Sequence, residues 1–306
     1  MSDINDIIII GGGPAGLTAG LYAARARLKT MLIERAVLGG QIVNSERVEN
    51  YPGFPDGISG FDLIELMRRQ AERFELGIRY AEVLGIELRD ADKVVKTSDG
   101  DHVARAVIIA GGAKLQRLGV PGEERLVGRG VSYCATCDGP FFKGQAVAVI
   151  GGGDSAIEEA LVLARFASVV YVIHRRNQLR ASKILQERAF GNPQIEFIWD
   201  TVVEQILGDD RLTGITIRNI KTGEVSDLSV SGTFVYVGQR PNSGFLGGAV
   251  PLDEQGRILT DERLQTGVKG LFAAGDIRHN SPRQVITAAG DGATAAVFAE
   301  RFLLGQ

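Results

Sequence analysis

The chain is poor in the residues that hold metals, and it has neither an apolar run of membrane length nor an excess of basic charge. Among its 306 residues are two cysteines, three histidines and one tryptophan. His102, His174 and His279 are scattered, and none stands at ligand spacing from a cysteine, so the pattern offers no metal site. Lysine and arginine number 34 against 37 aspartates and glutamates, a net charge of −3 that favours neither nucleic acid nor an anionic membrane. No apolar run approaches the length of a membrane span. Asp3 and Asp6 precede four isoleucines with no basic segment ahead of them, which argues against a secretory signal and for a reducing cytosol. Glycine, by contrast, is plentiful: 40 glycines suit a fold rich in tight turns, and 44% apolar content is enough for two cores.

Those glycines are not spread evenly. A dinucleotide fingerprint comes after the apolar run Ile7 to Ile10 as Gly11, Gly13 and Gly16, and recurs after Ala146 to Ile150 as Gly151, Gly153 and Ala156. Both sit where a buried parallel strand would turn into a helix. The first glycine permits the tight turn, the second lets backbone approach a pyrophosphate, and the third position keeps helix and strand close. Free N–H groups and the positive end of the helix dipole then receive the phosphates.

The copies differ downstream of their turns. The first leads to Glu34, at the end of the strand Thr30 to Ile33, where a carboxylate bonds a ribose 2′-hydroxyl. The second leads to His174, Arg175 and Arg176, with Arg180 close behind. A 2′-phosphate is repelled by a carboxylate and gripped bidentately by a guanidinium. The first site is therefore expected to take an unphosphorylated ribose, as in FAD, and the second NADPH.

The only cysteines, Cys134 and Cys137, form a Cys-x-x-Cys pair just before the second fingerprint. In a cytosolic chain that spacing favours redox chemistry over half a zinc site. Asp138 comes directly after; it either gives a proton to a departing thiolate or caps the next turn, and the residues alone leave both open.

The halves resemble diverged copies of one unit. In the first, a helix is expected over Ala15 to Leu28 and another over Phe61 to Leu76, ending at a C′ glycine, Gly77. Strands continue it through Val95 to Thr97 and Val103 to Ile109. The second repeats this with a helix over Ser155 to Phe166 and strands Val169 to Ile173 and Phe234 to Val237. After it come a strand at Leu271 to Ala274, a loop with Pro282 and a small-residue helix from Gln284 to Leu303, with no nucleotide turn of their own. This tail is expected to return to the first domain. The fold class is therefore α/β: two Rossmann-like dinucleotide-binding domains, each with an added β-meander. The FAD domain is discontinuous, 1–115 and 244–306, with the NADPH domain, 116–243, inserted. Two short crossings, near Lys114 to Gly119 and Pro241 to Gly244, leave room for relative rotation.

Over essentially its whole length the chain resembles the bacterial low-molecular-weight thioredoxin reductases. The carrying motifs are Gly-Gly-Gly-Pro-Ala-Gly from Gly11, Gly-Gly-Gln from Gly39 and Val-Glu-Asn-Tyr-Pro-Gly from Val48. Cys-Ala-Thr-Cys-Asp-Gly from Cys134, Gly-Gly-Gly-Asp-Ser-Ala from Gly151 and His-Arg-Arg from His174 continue them. Ala-Gly-Asp from Ala274 and Arg-Gln at Arg283 and Gln284 complete the set. The cysteine motif is the most specific of these; the glycine motifs are shared by many flavoproteins.

The resemblance implies an FAD site of Gly11, Gly13, Pro14, Ala15, Gly16, Glu34, Gly39, Gly40, Gln41, Asn50, Gly275, Asp276, Arg283, Gln284 and Val285. Asp276 would hold the ribitol, with Gln284 and Val285 at the pyrimidine end of the ring; the plainer roles are a turn cap for Asp276 and a helix start for Gln284. The NADPH site would use Gly151, Gly153, Asp154, Ser155, His174, Arg175, Arg176 and Arg180. Catalysis would rest on Cys137 nearer the flavin, Cys134 attacking thioredoxin and Asp138 as proton donor. A homodimer and a domain rotation between half-reactions are implied in the same way. One departure is Ala110 to Ala113, Ala-Gly-Gly-Ala, where the family usually has threonine at Gly111. The arginine cluster argues against a dithiol oxidase or a ferredoxin-driven relative, which have no need of it. The cysteines argue against a ferredoxin–NADP reductase, and the full set of donor, carrier and acceptor motifs against a non-enzymatic redox sensor. A peroxide-reducing flavoprotein subunit would carry a further N-terminal thiol domain.

Overall fold

The computed structural model describes residues 4–89 and 92–306; Asp3 lies outside them. The chain divides into two compact units, Met1–Lys114 with Arg240–Gln306, and Leu115–Gln239. The first opens with β1 (Asn5–Ile10), α1 (Pro14–Arg25), β2 (Thr30–Glu34), α2 (Gly60–Glu72) and β3 (Gly77–Tyr80). It adds the antiparallel run β4 (Val83–Arg89), β5 (Asp92–Thr97) and β6 (Gly100–Ile109). The short strand β7 (Ala113–Leu115) makes the first crossing.

The second unit begins with α3 (Glu123–Leu126), β8 (Val131–Ser132) and the single turn α4 (Ala135–Asp138). Its nucleotide unit is β9 (Ala146–Gly151), α5 (Asp154–Leu163), β10 (Val169–Ile173), α6 (Lys183–Phe190) and β11 (Ile195–Ile198). A separate meander, β12 (Thr201–Leu207), β13 (Gly214–Asn219) and β14 (Val225–Leu228), precedes β15 (Gly232–Tyr236). The strand β16 (Gln239–Pro241) makes the return crossing and pairs with β7. The chain then closes with β17 (Leu271–Ala273) and α7 (Val285–Leu303).

Both units carry one sheet plan. In the first, the parallel strands run β3-β2-β1-β6-β17, because β6 splits its far edge: Gly100 to Ala104 pairs with β5 and Val107 to Ile109 with β17. In the second, all five strands run parallel in the order β11-β10-β9-β15-β8. Central strands covered on both faces need unbroken apolar runs. Ile7, Ile8 and Ile9 in β1, and Val147, Ala148 and Val149 in β9, are accordingly inaccessible to solvent. Each buried isoleucine contributes roughly 1.5–3 kcal/mol.

The tail packs α7 along α1 through small residues, Ala15, Ala19 and Ala23 against Ala288, Ala295, Ala296 and Ala299. Gly292 lies so close to the Ala15 carbonyl that even a methyl group would collide with it. This close approach is what small residues permit, and it brings the start of α7 to the first fingerprint.

Helix ends depart from the pattern-based expectation. α1 stops at Arg25, three residues before Leu28, and Arg27 takes a left-handed φ of 61°. α2 ends at Glu72, and Gly77 is not its C′ residue: it opens β3, paired with Met31. Glu75 supplies the left-handed step, with φ of 66°, so strand pairing overrides the glycine signal. α5 ends at Leu163 rather than Phe166, whose carbonyl accepts the Gly144 amide in the loop below β9. No helix among the described residues is long and apolar enough to cross a membrane.

Candidate active site

The two glycine turns repeat the same three spatial solutions. Gly11 has φ of 105° and Gly151 has φ of 152°, and a side chain at either would strike a backbone carbonyl, of Ala110 or Tyr236. Gly13 and Gly153 face open space: a methyl at Gly13 would come no closer than 3.9 Å to protein, and one at Gly153 would meet nothing within 4 Å. The third position is crowded, Gly16 against the Gly11 carbonyl and Ala156 against Gly151. Neither α1 nor α5 has a side-chain N-cap, and Pro14 stands at the start of α1. Each turn thus offers unclaimed N–H groups at a spot where backbone can approach an anion, which fits a pyrophosphate.

In the first unit the Glu34 carboxylate is fixed beside the turn, accepting from Gly12 N (2.8 Å) and Ala36 N (3.0 Å). Gly39 N donates to Gly12 O at 2.8 Å, tying the 3-10 turn Gly40–Asn44, which carries Gln41, to the fingerprint. Gly40 faces Gly13 at 4.0 Å, so both line the same open cradle. Asn50 Nδ2 donates to Gln284 Oε1 at 2.9 Å across 234 residues, and Gln284 makes no side-chain cap on α7. Asp276 accepts from Ser281 Oγ at 3.0 Å, and burial raises its pKa. Arg283 is exposed with a left-handed φ of 60°, and Val285 begins α7.

Two residues that sequence reasoning passed over hold this turn in place. Asp291 on α7 accepts the Gly275 amide (3.0 Å) and a two-pronged bond from Arg278, Nε at 2.6 Å and Nη2 at 2.8 Å. An acid inside a helix of small residues was the available signal. Gly111 keeps an ordinary φ, and a methyl there would come within 3.3 Å of Ile277 Cδ1. The left-handed step that favours glycine falls instead at Gly112, with φ of 61°.

In the second unit His174 occupies the place of Glu34. Its buried ring lies against Gly152, where an added methyl would meet Nδ1 at 2.6 Å. Burial lowers its pKa, and the charges of Arg180, Arg176 and Arg175 add to that effect. These three arginines are exposed, and no described carboxylate pairs with them. Arg180 N donates to Gly152 O (2.7 Å), and Ser182 N to Asp154 Oδ1 (2.6 Å), drawing the arginine loop onto the turn. Ser155 is exposed in the first turn of α5. A free guanidinium group beside an open glycine cradle fits a 2′-phosphorylated nucleotide.

Cys134 and Cys137 are joined in a disulfide across α4, with Cα atoms 5.4 Å apart. Cys137 is exposed and Cys134 half-buried. Cys137 N donates to Cys134 Sγ at 3.2 Å. Asp138 makes no side-chain cap on the 3-10 turn after it, Gly139–Phe142. It borders a cleft of about 1010 Å³ lined also by Arg129, Phe141, Phe142 and Arg211. Beneath the disulfide turn, Ala135 N donates to Glu159 Oε2 (2.9 Å) and Tyr236 OH (3.2 Å). Neither partner was singled out from sequence, although Glu159 interrupts the apolar stripe Ala156, Ala160 and Leu163. Among the described residues no group of three histidines, cysteines or acids is placed to hold a metal.

The family model for pyridine nucleotide-disulphide oxidoreductases matches residues 5–292. The chain belongs to this family. Within it, the relatives are thioredoxin reductases: that of Streptomyces coelicolor is 50% identical over 306 residues, spanning 99% of this chain and 95% of its own. A bifunctional thioredoxin reductase/thioredoxin of Mycobacterium leprae is 49% identical over 302 residues, 98% of this chain and 66% of that protein. The crystal structure of Lactococcus lactis thioredoxin reductase (FR conformation) superposes with a TM-score of 0.96 at 46% identity, covering 99% of this chain and 100% of that one. This family of flavoprotein oxidoreductases uses FAD and a nicotinamide nucleotide, and the two open glycine cradles suit two such ligands.

Proposed function

We propose that the chain reduces the disulfide of thioredoxin with electrons from NADPH, relayed through FAD and the Cys134–Cys137 pair. The observation that carries this reading is the disulfide itself, formed on a partly buried turn, with Cys137 exposed, between a strand and the second fingerprint. FAD, when bound, would supply the two-electron carrier chemistry between a nicotinamide donor and a disulfide acceptor.

The residues of the chain do the rest. Gly11 through Gly16, with Pro14 at the helix start, hold the flavin nucleotide's pyrophosphate, and Glu34 its ribose. Gly39, Gly40, Gln41, Asn50, Gln284, Val285 and Arg283 line the flavin, with Gly275 and Asp276 at the ribitol. Gly151, Gly153, Asp154 and Ser155 hold the second pyrophosphate; Arg175, Arg176 and Arg180 grip the 2′-phosphate, while His174 stays neutral and packs the turn. Cys137 would be the sulfur nearer the flavin and Cys134 the one that attacks thioredoxin, a role supported by the N–H that Cys137 gives to Cys134 Sγ. Asp138, free of any capping duty, gives the proton. Phe141, 77% exposed beside the cleft, offers an apolar edge for the partner protein. The two units, FAD and NADPH domains, turn about their two crossings between half-reactions. The working form is a homodimer in the reducing cytosol.

Steady-state NADPH oxidation by FAD-loaded protein, with and without thioredoxin and beside NADH, tests the reading. Fast turnover is expected only with NADPH and thioredoxin together. Oxygen consumption without thioredoxin would point to a dithiol oxidase, and failure of NADPH to reduce the flavin to a ferredoxin-driven enzyme.

A further inference from the structure

The turn that bears the disulfide is fastened to its unit by two side chains that the electron relay leaves without a task. Glu159 projects from α5 between the buried residues Ala156 and Ala160, and Tyr236 ends β15. The Ala135 amide donates to both. Another N–H of the turn, that of Cys137, goes to Cys134 Sγ. The donors of the turn are therefore divided between a fixed carboxylate and a reactive sulfur.

The charges around this point have one sign. Glu159 comes from α5 and Asp138 from α4 itself, the Tyr236 phenol of β15 is neutral, and no described cation pairs with Glu159. Tyr133, on the approach to Cys134, is occupied by the buried acid Glu123, to which it donates at 2.8 Å. Burial raises the pKa of Glu159, and that of Tyr236 rises through burial and the neighbouring carboxylate.

We propose that Glu159 is a positioning residue that sets the reduction potential of the Cys134–Cys137 pair, its carboxylate opposing a thiolate and so keeping the dithiol strongly reducing. This rests on the redox role proposed for the pair. Reduction breaks the Sγ–Sγ bond with two electrons and leaves a thiol and a thiolate after uptake of one proton, or two thiols after uptake of two. A negative charge one peptide unit from Cys134 disfavours the thiolate. It also holds the Ala135 amide, which would otherwise be available to a sulfur anion. A dithiol whose thiolate is stabilised is a poor reductant, because its reduced form is favoured. Glu159 works in the opposite sense.

The test uses FAD-loaded wild type, Glu159→Gln and Tyr236→Phe, equilibrated without oxygen in glutathione buffers. Two glutathione thiols supply the two electrons and become oxidised glutathione; the reduced fraction of the pair is counted by alkylation and mass. Glu159→Gln keeps an oxygen for Ala135 but removes the charge. It is expected to shift the equilibrium about tenfold toward the dithiol, which is about 30 mV for a two-electron couple. Its alkylation profile should move to lower pH. Tyr236→Phe keeps the charge and is expected to produce no shift toward the dithiol. An unchanged potential and alkylation profile in Glu159→Gln would overturn the proposal, as would equal shifts in both variants, which would mark loosened packing. A wild-type pair reduced neither by glutathione nor by excess NADPH would end the redox reading itself, and this inference with it.

Discussion

The two units share a sheet order and a glycine turn, yet their fifth strands come from opposite directions along the chain. In the first unit β17 arrives from downstream and delivers Gly275 and Asp276 to the fingerprint edge. In the second, β8 arrives from upstream and delivers Cys134 and Cys137 to the equivalent edge. Both strands lie parallel to the rest of their sheets, so each ends on the side where the glycine turn opens. One architecture thus presents a buried carboxylate, Asp276, in one unit and a redox disulfide in the other. The end of the second strand diverges likewise, a carboxylate at Glu34 against a buried imidazole at His174 and three unpaired arginines. The nucleotide turn is the constant part, and chemistry is assigned by whatever the fifth strand and the end of the second strand carry.

Variants that erase one side of this comparison sharpen it. The largest effect is expected from Cys134→Ser or Cys137→Ser in the second unit. Thioredoxin reduction should fall by at least about 10³-fold, as for loss of a nucleophile, while NADPH still bleaches the flavin in a stopped-flow trace. Next comes Arg175→Ala with Arg176→Ala. Charge-assisted bonds of about 1.5–3 kcal/mol predict a rise of roughly 10- to 100-fold in KM for NADPH, with NADH unaffected. An equal loss for both nucleotides would break the contrast between the turns. In the first unit, Gly292→Ala forces a methyl into the Ala15 carbonyl and should cost about 1–3 kcal/mol in thermal unfolding, with FAD retention reduced. The smallest effect concerns His174. Its pKa in the fold lies below the ordinary value of 6.5, so the unfolded chain binds the proton more readily. Its contribution to stability is complete above about pH 6.5 and is lost as the pH falls below that value. His174→Gln should flatten this acid limb, by at most about 1.4 kcal/mol per pH unit.

Much of this was legible in the amino-acid order alone. Long apolar runs, Ile7 to Ile10 and Ala146 to Ile150, declare buried parallel strands, and the glycines after them declare their turns. The small-residue helix at the end was recognisable because only a close-packed partner explains such a composition. Local signals misled where a tertiary pairing intervened: Gly77 suggests a helix stop, yet β2 recruits it as a strand residue. The supporting polar contacts were not legible. Asp291 and Arg278, Glu159 and Tyr236, and Glu123 and Tyr133 each join residues distant along the chain or on different elements. No periodicity links them, because their meaning depends on which strand ends meet.

The central claim is that two unlike nucleotide turns feed one disulfide. Anaerobic titration of the FAD-loaded protein with NADPH, recording flavin absorbance and counting free thiols together, tests it most directly. Added NADPH is expected to yield two new thiols per chain, traced by alkylation to Cys134 and Cys137. A flavin that bleaches fully while both cysteines stay joined would contradict it.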